Sequence, residues 1–374
     1  MKVFIGAGES SSDKIAGKII NKIPNGCDLY GITGVEMKSC GVKTTFNTSD
    51  ISFIGFDILM NLFSVINIIN KTVDWIMENE PEIAIFVDAY DFYIRVAKKL
   101  KKRGCKTKII AVVAPLAWLY SSGKTKQINK YFDKLICIFP FEPNFFAQCG
   151  HKDVHFFGNP FLQQIENKIL PRDKNLVLIT IGSRPNEVKR HMPLILNVIK
   201  IINKTATNII FFMPTTKETH NEIMLYFCDF KNIEYSFDEK IKDIKMRTAY
   251  FAIAKSGTNT SEIAARGLTA LIYYKIGLLS YFVGKFVLKI KMINMINIVA
   301  KKQIIPEIIQ IFNNPNQIVN CFFEFYKNEK KCIEQNISVL DKIKKMQGDF
   351  NKNFEESAVN NIFYSSNSEP SCLS

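Results

Sequence analysis

The feature that most constrains this chain is a set of short, unbroken apolar runs, each followed by a stretch of helical periodicity. In the first half these runs are Lys2–Ile5, Ile83–Val87, Ile109–Val113 and Leu135–Phe139, with helical patterns from about Asp13 to Lys22 and through Phe92–Arg103. A strand that is apolar at every position has both faces buried, which happens in parallel sheets covered by helices on both sides. After a polar stretch at 168–175 (KILPRDKN) the pattern restarts. Strands are expected at Leu176–Thr180, Ile209–Met213 and Tyr250–Ala254, and helices from about Glu187 and Thr260. Two such series in succession predict an α/β protein of two Rossmann-like, doubly wound domains.

The boundaries that follow are 1–167 for the first domain, 168–312 for the second, and 313–364 for helices packing back on the body. Residues 365–374 read as a loose tail. A chain of 374 residues with 47% hydrophobic and 22% charged residues has the globular balance this requires, and excludes a disordered or fibrous chain. Its formal net charge of +14 calls for an anionic partner: nucleic acid, an acidic membrane face or a phosphorylated substrate. Nine cysteines without a C-x-x-C pair read as buried thiols of a reducing compartment. Four histidines outside any ligand-spaced cluster argue against a metal. The N-terminal residues lack the apolar core of a signal peptide and the C-terminus does not fit a prenylation box, so the expected compartment is the cytosol.

Two apolar stretches bear on membranes. Ile51–Ile69 is long enough to span but is interrupted by Gly55, Asp57, Asn61, Ser64 and Asn67. It reads as a helix under an apolar pocket, on a bilayer surface, or in the core. Ile272–Ile298 alternates Lys275, Lys285, Lys289 and Lys291 with large apolar residues, the composition of a basic interfacial helix.

In open α/β sheets ligands gather at the carboxyl ends of the strands. After the first run comes Gly6-Ala7-Gly8-Glu9-Ser10-Ser11-Ser12-Asp13, a small-residue turn into a helix that suits either an anion or nothing more than a turn. After Ile83–Val87 comes Asp88-Ala89-Tyr90-Asp91. An acid at a strand's carboxyl end either works as a base or caps the next helix. Asp91 reads as the cap, which leaves Asp88 without a structural reason. Gly182-Ser183-Arg184 combines a turn, a hydroxyl and a guanidinium suited to phosphate, or to a surface salt bridge. Ser256-Gly257-Thr258 opens another helix, with Glu262 one turn in, as a ribose acceptor or a dipole partner. Asn297 and the run Pro306–Gln310 place amides and a carboxylate among apolar residues, with a helix start after Pro306 as the plain reading.

Taken in order, AGExSxD, VDAYDF, VVAPLAW, FPFEP, GNP, GSRxxEV, SGTNTSE and the N-x12-Q pair Asn297/Gln310 resemble the lipid-A-disaccharide synthase family. The resemblance runs from about Lys2 to Gln310. It implies a GT-B architecture, two Rossmann-like domains facing across a cleft, and a glycosyl transfer from UDP-2,3-diacylglucosamine to 2,3-diacylglucosamine 1-phosphate (lipid X). The products are the β-1,6 disaccharide 1-phosphate and UDP, with no cofactor and no metal. It implies Asp88 as catalytic base, and Ser183, Arg184, Ser256, Gly257, Thr258, Glu262, Asn297 and Gln310 as the nucleotide-binding set. Gly8, Glu9, Ser11, Asp13, Trp118 and Asn159 fall on the acceptor side. Ser12, Ile181 and Asn159 stand where the family commonly has glycine, proline and histidine; a binding relative that keeps the fold without catalysis is the alternative they suggest. The expected setting is the inner face of the cytoplasmic membrane, bound peripherally through its anionic lipids. A homodimer is among the expected assemblies, and no nucleic-acid motif supports an RNA or DNA partner.

Overall fold

A computed structural model describes residues 1–48, 58–115, 117–119, 122–162, 170–227, 230–275, 292–347 and 353–364. The chain forms two compact units, one of Met1–Gln163 with Met346–Ser374 and one of Gln164–Lys345.

The first unit is built on a seven-stranded sheet of order β3-β2-β1-β4-β5-β6-β7. The strands are β1 Lys2–Ala7, β2 Asp28–Thr33, β3 Lys43–Asn47, β4 Ile83–Val87, β5 Lys108–Val112, β6 Lys134–Cys137 and β7 Val154–Phe156. All neighbours pair in parallel. Alternation along the strands explains why their sequences are continuously apolar. Phe4, Ala84, Phe86, Ile109, Ala111 and Leu135 enter one core, closed by helices Ile58–Asn79 and Tyr90–Lys102. Val3, Ile5, Ile85, Val87, Ile110 and Ile136 enter a separate core on the other face.

That second core is completed from far away in the sequence. Helix Ser10–Ile20 supplies Ile15, Ala16 and Ile19, and helix Phe354–Phe363 supplies Phe354, Ala358, Val359 and Ile362. Buried Lys134 at the start of β6 donates to the backbone and side-chain oxygens of Asn361, both at 2.7 Å. Burial pulls the Lys134 ammonium below its ordinary range, against the opposing pull of Asp153 at 3.6 Å. The last helix is therefore part of the first unit, whereas helix Pro315–Tyr326 buries Ile318, Val319 and Phe322 in the second.

The second unit carries a six-stranded parallel sheet of order β10-β9-β8-β11-β12-β13. Its strands are β8 Asp173–Thr180, β9 Ile210–Pro214, β10 Ile233–Ser236, β11 Ala249–Lys255, β12 Thr269–Lys275 and β13 Glu307–Gln310. Helix Pro185–Thr205 covers one face with Val188, Met192, Ile195, Val198 and Ile199.

Several expectations are corrected. Residues 173–175 of the polar stretch belong to β8, and Arg172 before it donates to the backbone oxygens of Met246, Arg247, Ala249 and Arg266. The run after Pro306 is a strand, because Ile308 and Ile309 pair with β12. Ile272–Lys275 is the end of β12 rather than part of a basic helix; 276–291, with Lys285, Lys289 and Lys291, lie outside the described residues. Of Ile51–Ile69, residues 51–57 also lie outside them, but Val65, Ile68 and Ile69 are core residues of helix Ile58–Asn79. Among the described residues no helix is long and apolar enough to cross a membrane. The tail 365–374 lies outside the described residues.

Candidate functional site

In the first sheet the strand order reverses direction between β1 and β4, and in the second between β8 and β11. Crossovers leave the sheet in opposite directions at such a point and open a crevice at the carboxyl ends. Of the sequence-derived site residues, Gly8, Glu9, Ser11, Asp13 and Asp88 lie at the first reversal, and Ser183, Arg184, Ser256, Gly257, Thr258 and Glu262 at the second. Trp118 instead follows β5, Asn159 follows β7, and Asn297 and Gln310 lie before and at the end of the edge strand β13.

At the first reversal, Gly8 follows β1 and Asp88-Ala89 follow β4. A Cβ on Gly8 would stand 2.0 Å from the Cβ of Ala89, so the turn after β1 closes only with glycine. Asp88 and Ala89 both have left-handed backbones, with φ of 59° and 47°, and so does Val113 at the end of β5, with φ of 65°. Such conformations cost about 1–3 kcal/mol each in non-glycine residues and persist only where surrounding structure imposes them. Here the Asp88 amide donates to Val112 O at 2.9 Å, prolonging the sheet by one bond and turning the chain sharply into helix Tyr90–Lys102. Ala89 is the cap residue; Asp91 is exposed in the first turn and pairs with Lys124 at 3.6 Å, which corrects its reading as the cap. Half-buried Asp88 sits at the strand end. Its charge acts on Tyr93, a core tyrosine whose hydroxyl burial already pushes well above the ordinary range.

Around this turn the other first-unit candidates hold the scaffold. Buried Asp13 accepts from the amides of Gly34, Glu36 and Met37 at 2.8, 2.9 and 3.3 Å and so caps helix Val35–Ser39 from a distance. Glu9 caps helix Ser10–Ile20, and Ser12 closes the turn through the Glu9 amide at 2.8 Å and carbonyl at 2.9 Å. Ser11 is half-buried in the first turn of that helix. Buried Asn159 accepts from the Phe161 amide at 3.0 Å, bracing its own turn. The Trp118 indole donates to Glu142 at 2.9 Å.

At the second reversal, Gly182 has φ of 133°, and a Cβ there would meet Glu187 Oε2 at 2.4 Å. Glu187 folds back over the turn, accepts from the Ser183 amide at 3.1 Å, and pairs with Lys255 Nζ at 2.6 Å. Burial raises the Glu187 carboxyl, but Lys255, with Arg184 and the Ser183 amide, overrides it and holds the group below its usual range. This pair joins the turn after β8 to the turn after β11. The strands are also tied at their ends, where the Lys255 amide donates to Thr180 Oγ1 at 3.0 Å and the Tyr273 hydroxyl to Thr180 O at 3.0 Å. Exposed Ser183 and half-buried Arg184 thus stand beside Ser256, whose amide donates to Tyr273 O at 2.9 Å. Gly257 caps helix Thr258–Ala265, on whose first position Thr258 lies and within which Glu262 is half-buried.

Asn297 is fully buried and fully bonded. Its amide donates to Ile305 O at 2.7 Å and Glu307 Oε1 at 2.6 Å, and accepts from Ile304 and Ile305 at 2.8 and 2.9 Å. That exhausts an asparagine side chain. Gln310 bonds Asn314 and Gln317, at 2.8–3.2 Å, and steadies the start of helix Pro315–Tyr326. These two residues, expected as direct nucleotide ligands, both bond neighbouring loop and helix-start groups through their side-chain amides. Asn297 belongs to a network in which Asn294 donates to Thr260 Oγ1 at 2.9 Å and Glu307 accepts from the Ile293 and Asn294 amides at 2.7 and 3.2 Å.

The pairing of Glu187 with Lys255 was not visible in sequence beyond both lying in motifs, and neither was His191, one turn on. Buried His191 contacts Glu187 O through Nδ1 at 2.8 Å, and Nε2 accepts from the Lys275 amide at 3.4 Å, which defines a neutral ring. Burial lowers its pKa to about 4. Among the described residues no group of acids, histidines and cysteines could hold a metal ion.

Two Rossmann-like units with turns of this kind at their reversals make up the GT-B fold class. Solved structures share the whole fold. UDP-GlcNAc 2-epimerase of Neisseria meningitidis, bound to UDP-GlcNAc, superposes with a TM-score of 0.63 at 11% identity, covering 97% of this chain and 98% of that one. MurG of Acinetobacter baumannii gives 0.53 at 12%, covering 96% and 98%. The family model for lipid-A-disaccharide synthetase matches residues 3–362, so the chain belongs to that family and is a glycosyltransferase of lipid A synthesis. Lipid-A-disaccharide synthase of Rickettsia akari is 35% identical over 348 residues, 89% of this chain and 88% of the relative. That of Rickettsia felis is 33% identical over 365 residues, 94% and 93%.

His191 makes the second unit acid-sensitive. Its folded pKa lies below the ordinary 6.5, so between pH 6.5 and about 4 the unfolded chain binds the extra proton and stability falls as pH falls. The slope from this group is ~1.4 kcal/mol per pH unit. Glu142, described below, titrates in the opposite sense, so the measurement is a difference. Wild type should lose stability relative to His191→Gln from pH 7 to pH 5 in parallel urea titrations, and equal slopes would refute it.

Proposed function

We propose that this enzyme joins UDP-2,3-diacylglucosamine to 2,3-diacylglucosamine 1-phosphate, with Asp88 as the base. The observation that carries the reading is the backbone of Asp88, held left-handed at the first reversal beside a turn that only Gly8 can make. A strained position maintained by its surroundings is what a reacting group needs and a mere loop anchor does not. Family membership supplies the reaction. The Asp88 carboxylate takes the proton from the acceptor's 6-hydroxyl as that oxygen bonds to the anomeric carbon of the donor. The bond from that carbon to the UDP oxygen breaks, and its electron pair leaves with the β-phosphate. Attack from the face opposite UDP inverts the centre.

UDP is assigned to the second unit. Arg184 and Ser183, with the Ser256 hydroxyl and the amides of Gly257 and Thr258, would take the diphosphate, and Glu262 the ribose. A guanidinium presents a fork matched to phosphate oxygens, and a helix start presents unpaired amides. Asn297 and Gln310 hold the loops behind this site; Asp13 and Asn159 do so for the acceptor side, where Gly8, Glu9, Ser11 and Trp118 line the turn region. No residue of the proposal requires a cofactor. The positive charge of +14 fits an enzyme working on phosphorylated lipids at the inner, anionic face of the cytoplasmic membrane.

Three outcomes test this. General bases typically contribute ~10²–10⁴-fold, so Asp88→Asn should cut UDP release from the two lipids by that order with UDP affinity unchanged; near-normal turnover would transfer the role elsewhere. A hydrogen bond to a charged group is worth about 1.5–3 kcal/mol, so Arg184→Ala should weaken UDP binding at least about tenfold by calorimetry; unchanged affinity would remove Arg184 from the site. Anionic vesicles should bind the protein and release it in high salt, since each basic residue at the surface contributes about 1 kcal/mol that screening removes. Retention until the bilayer is dissolved would contradict peripheral binding.

A further inference from the structure

Glu142 is a fully buried acid that the proposed chemistry does not use. Its Oε1 accepts from the Trp118 indole at 2.9 Å, and its Oε2 from the amides of Ile138 and Phe139 at 3.1 and 3.0 Å. Trp118 lies in the short 3-10 turn Ala117–Leu119 after β5, while Glu142 opens helix Glu142–Gln148 after β6. One carboxylate therefore ties together the carboxyl-end loops of adjacent strands, in the first unit and next to the strand that carries Asp88. Isolated burial of a carboxylate is costly, but a leucine or methionine here would leave three buried N–H donors unpaired. Two of the three are backbone amides; the third is the indole, whose direction the acid fixes.

That direction builds a surface. The Trp118 ring stands edge-on to Phe139 at 5.8 Å and to Phe141 at 5.1 Å, and the two phenylalanines stack at 5.6 Å. Trp118 is half-buried and Phe141 is 36% exposed, so part of this cluster faces outward. A rigid aromatic wall suits the C–H face and acyl chains of a lipid-bearing sugar better than it suits a nucleotide phosphate. Resting on the function proposed above, we infer that Glu142 is a positioning residue, whose grip on the Trp118 indole sets the aromatic wall against which the acylated acceptor lies beside Asp88.

The grip has a chemical signature. Desolvation raises the Glu142 carboxyl to about 7, against the bonds from Trp118, Phe139, Ile138 and Cys137. Among the described residues Cys137 is the titratable group facing it, and burial pushes that thiol well above its ordinary range, so it stays neutral. Below pH 7 the protonated carboxyl brings its own hydrogen to a place where three N–H donors already point, and the hold on the indole loosens.

The chain has two tryptophans, Trp75 and Trp118, so a Trp75→Phe protein reports Trp118 alone. Its emission should change with a midpoint near pH 7, and the change should vanish in Trp75→Phe/Glu142→Gln. In the otherwise native enzyme, Glu142→Gln and Trp118→Phe should each raise the KM for the acceptor lipid by up to about tenfold, the worth of one ordinary hydrogen bond. UDP affinity should stay within about twofold in both, a change of ~0.4 kcal/mol or less. A Trp118 transition that is missing, or that persists without Glu142, would overturn the assignment, as would an unchanged acceptor KM in both folded variants. Inactivity of the wild-type enzyme on these lipids would count against the proposed reaction alone, because the emission measurement needs no turnover.

Discussion

The parallel pairing of β1 with β4, and of β8 with β11, is the constraint on which the rest depends. Each pair places two strand ends side by side that are far apart in sequence, and each therefore forces two turns into one small volume. In the first unit the crowding is resolved by a missing side chain, since Gly8 yields to Ala89. In the second it is resolved by charge, since Glu187 reaches from its helix over Gly182 to Lys255. Both solutions leave backbone amides and short polar side chains at the carboxyl edge.

Charge and burial have been balanced differently at the two places. The Glu187–Lys255 pair is partly shielded, and its partner amide and Arg184 keep the carboxylate ionised despite burial. Such a pair gives little net stability, because desolvation offsets most of the attraction. Its value is that it fixes where the Ser183-Arg184 turn stands. Glu142 shows the opposite balance, with desolvation prevailing over its hydrogen bonds. The same residue type thus serves as a permanent anchor in one unit and a proton-dependent one in the other.

Supporting residues are more numerous than the sequence suggests. Asp13, Asn159, Asn297 and Gln310 carry polar groups at motif positions, and each spends them on neighbouring backbone or side chains. A buried polar group must be paired, and loops without regular structure need such partners for their own amides. Motif membership alone does not separate a residue that touches a ligand from one that holds the loop touching it. Ser12 illustrates the same logic, for it closes the first turn with two hydrogen bonds.

By itself the sequence determined the class of fold, the central strands and the places where chemistry could gather. Continuous apolar runs as short as Ile83–Val87, rich in β-branched residues, fit strands buried on both faces, and small residues after them mark the strand ends. It did not reveal β2, β3, β7 or β10, whose half-exposed residues blur the pattern, nor β12, which runs into a lysine-studded apolar stretch, nor β13, where Pro306 imitates a helix start. Only the tertiary structure decided that the last helix returns to the first unit through Lys134 and Asn361, that Asp88 is held in a left-handed turn, and that Glu187 meets Lys255. Each of these depends on groups brought together across 68 to 227 residues, or on a backbone angle imposed by them. Periodicity records which face of an element is buried, but not which distant element buries it.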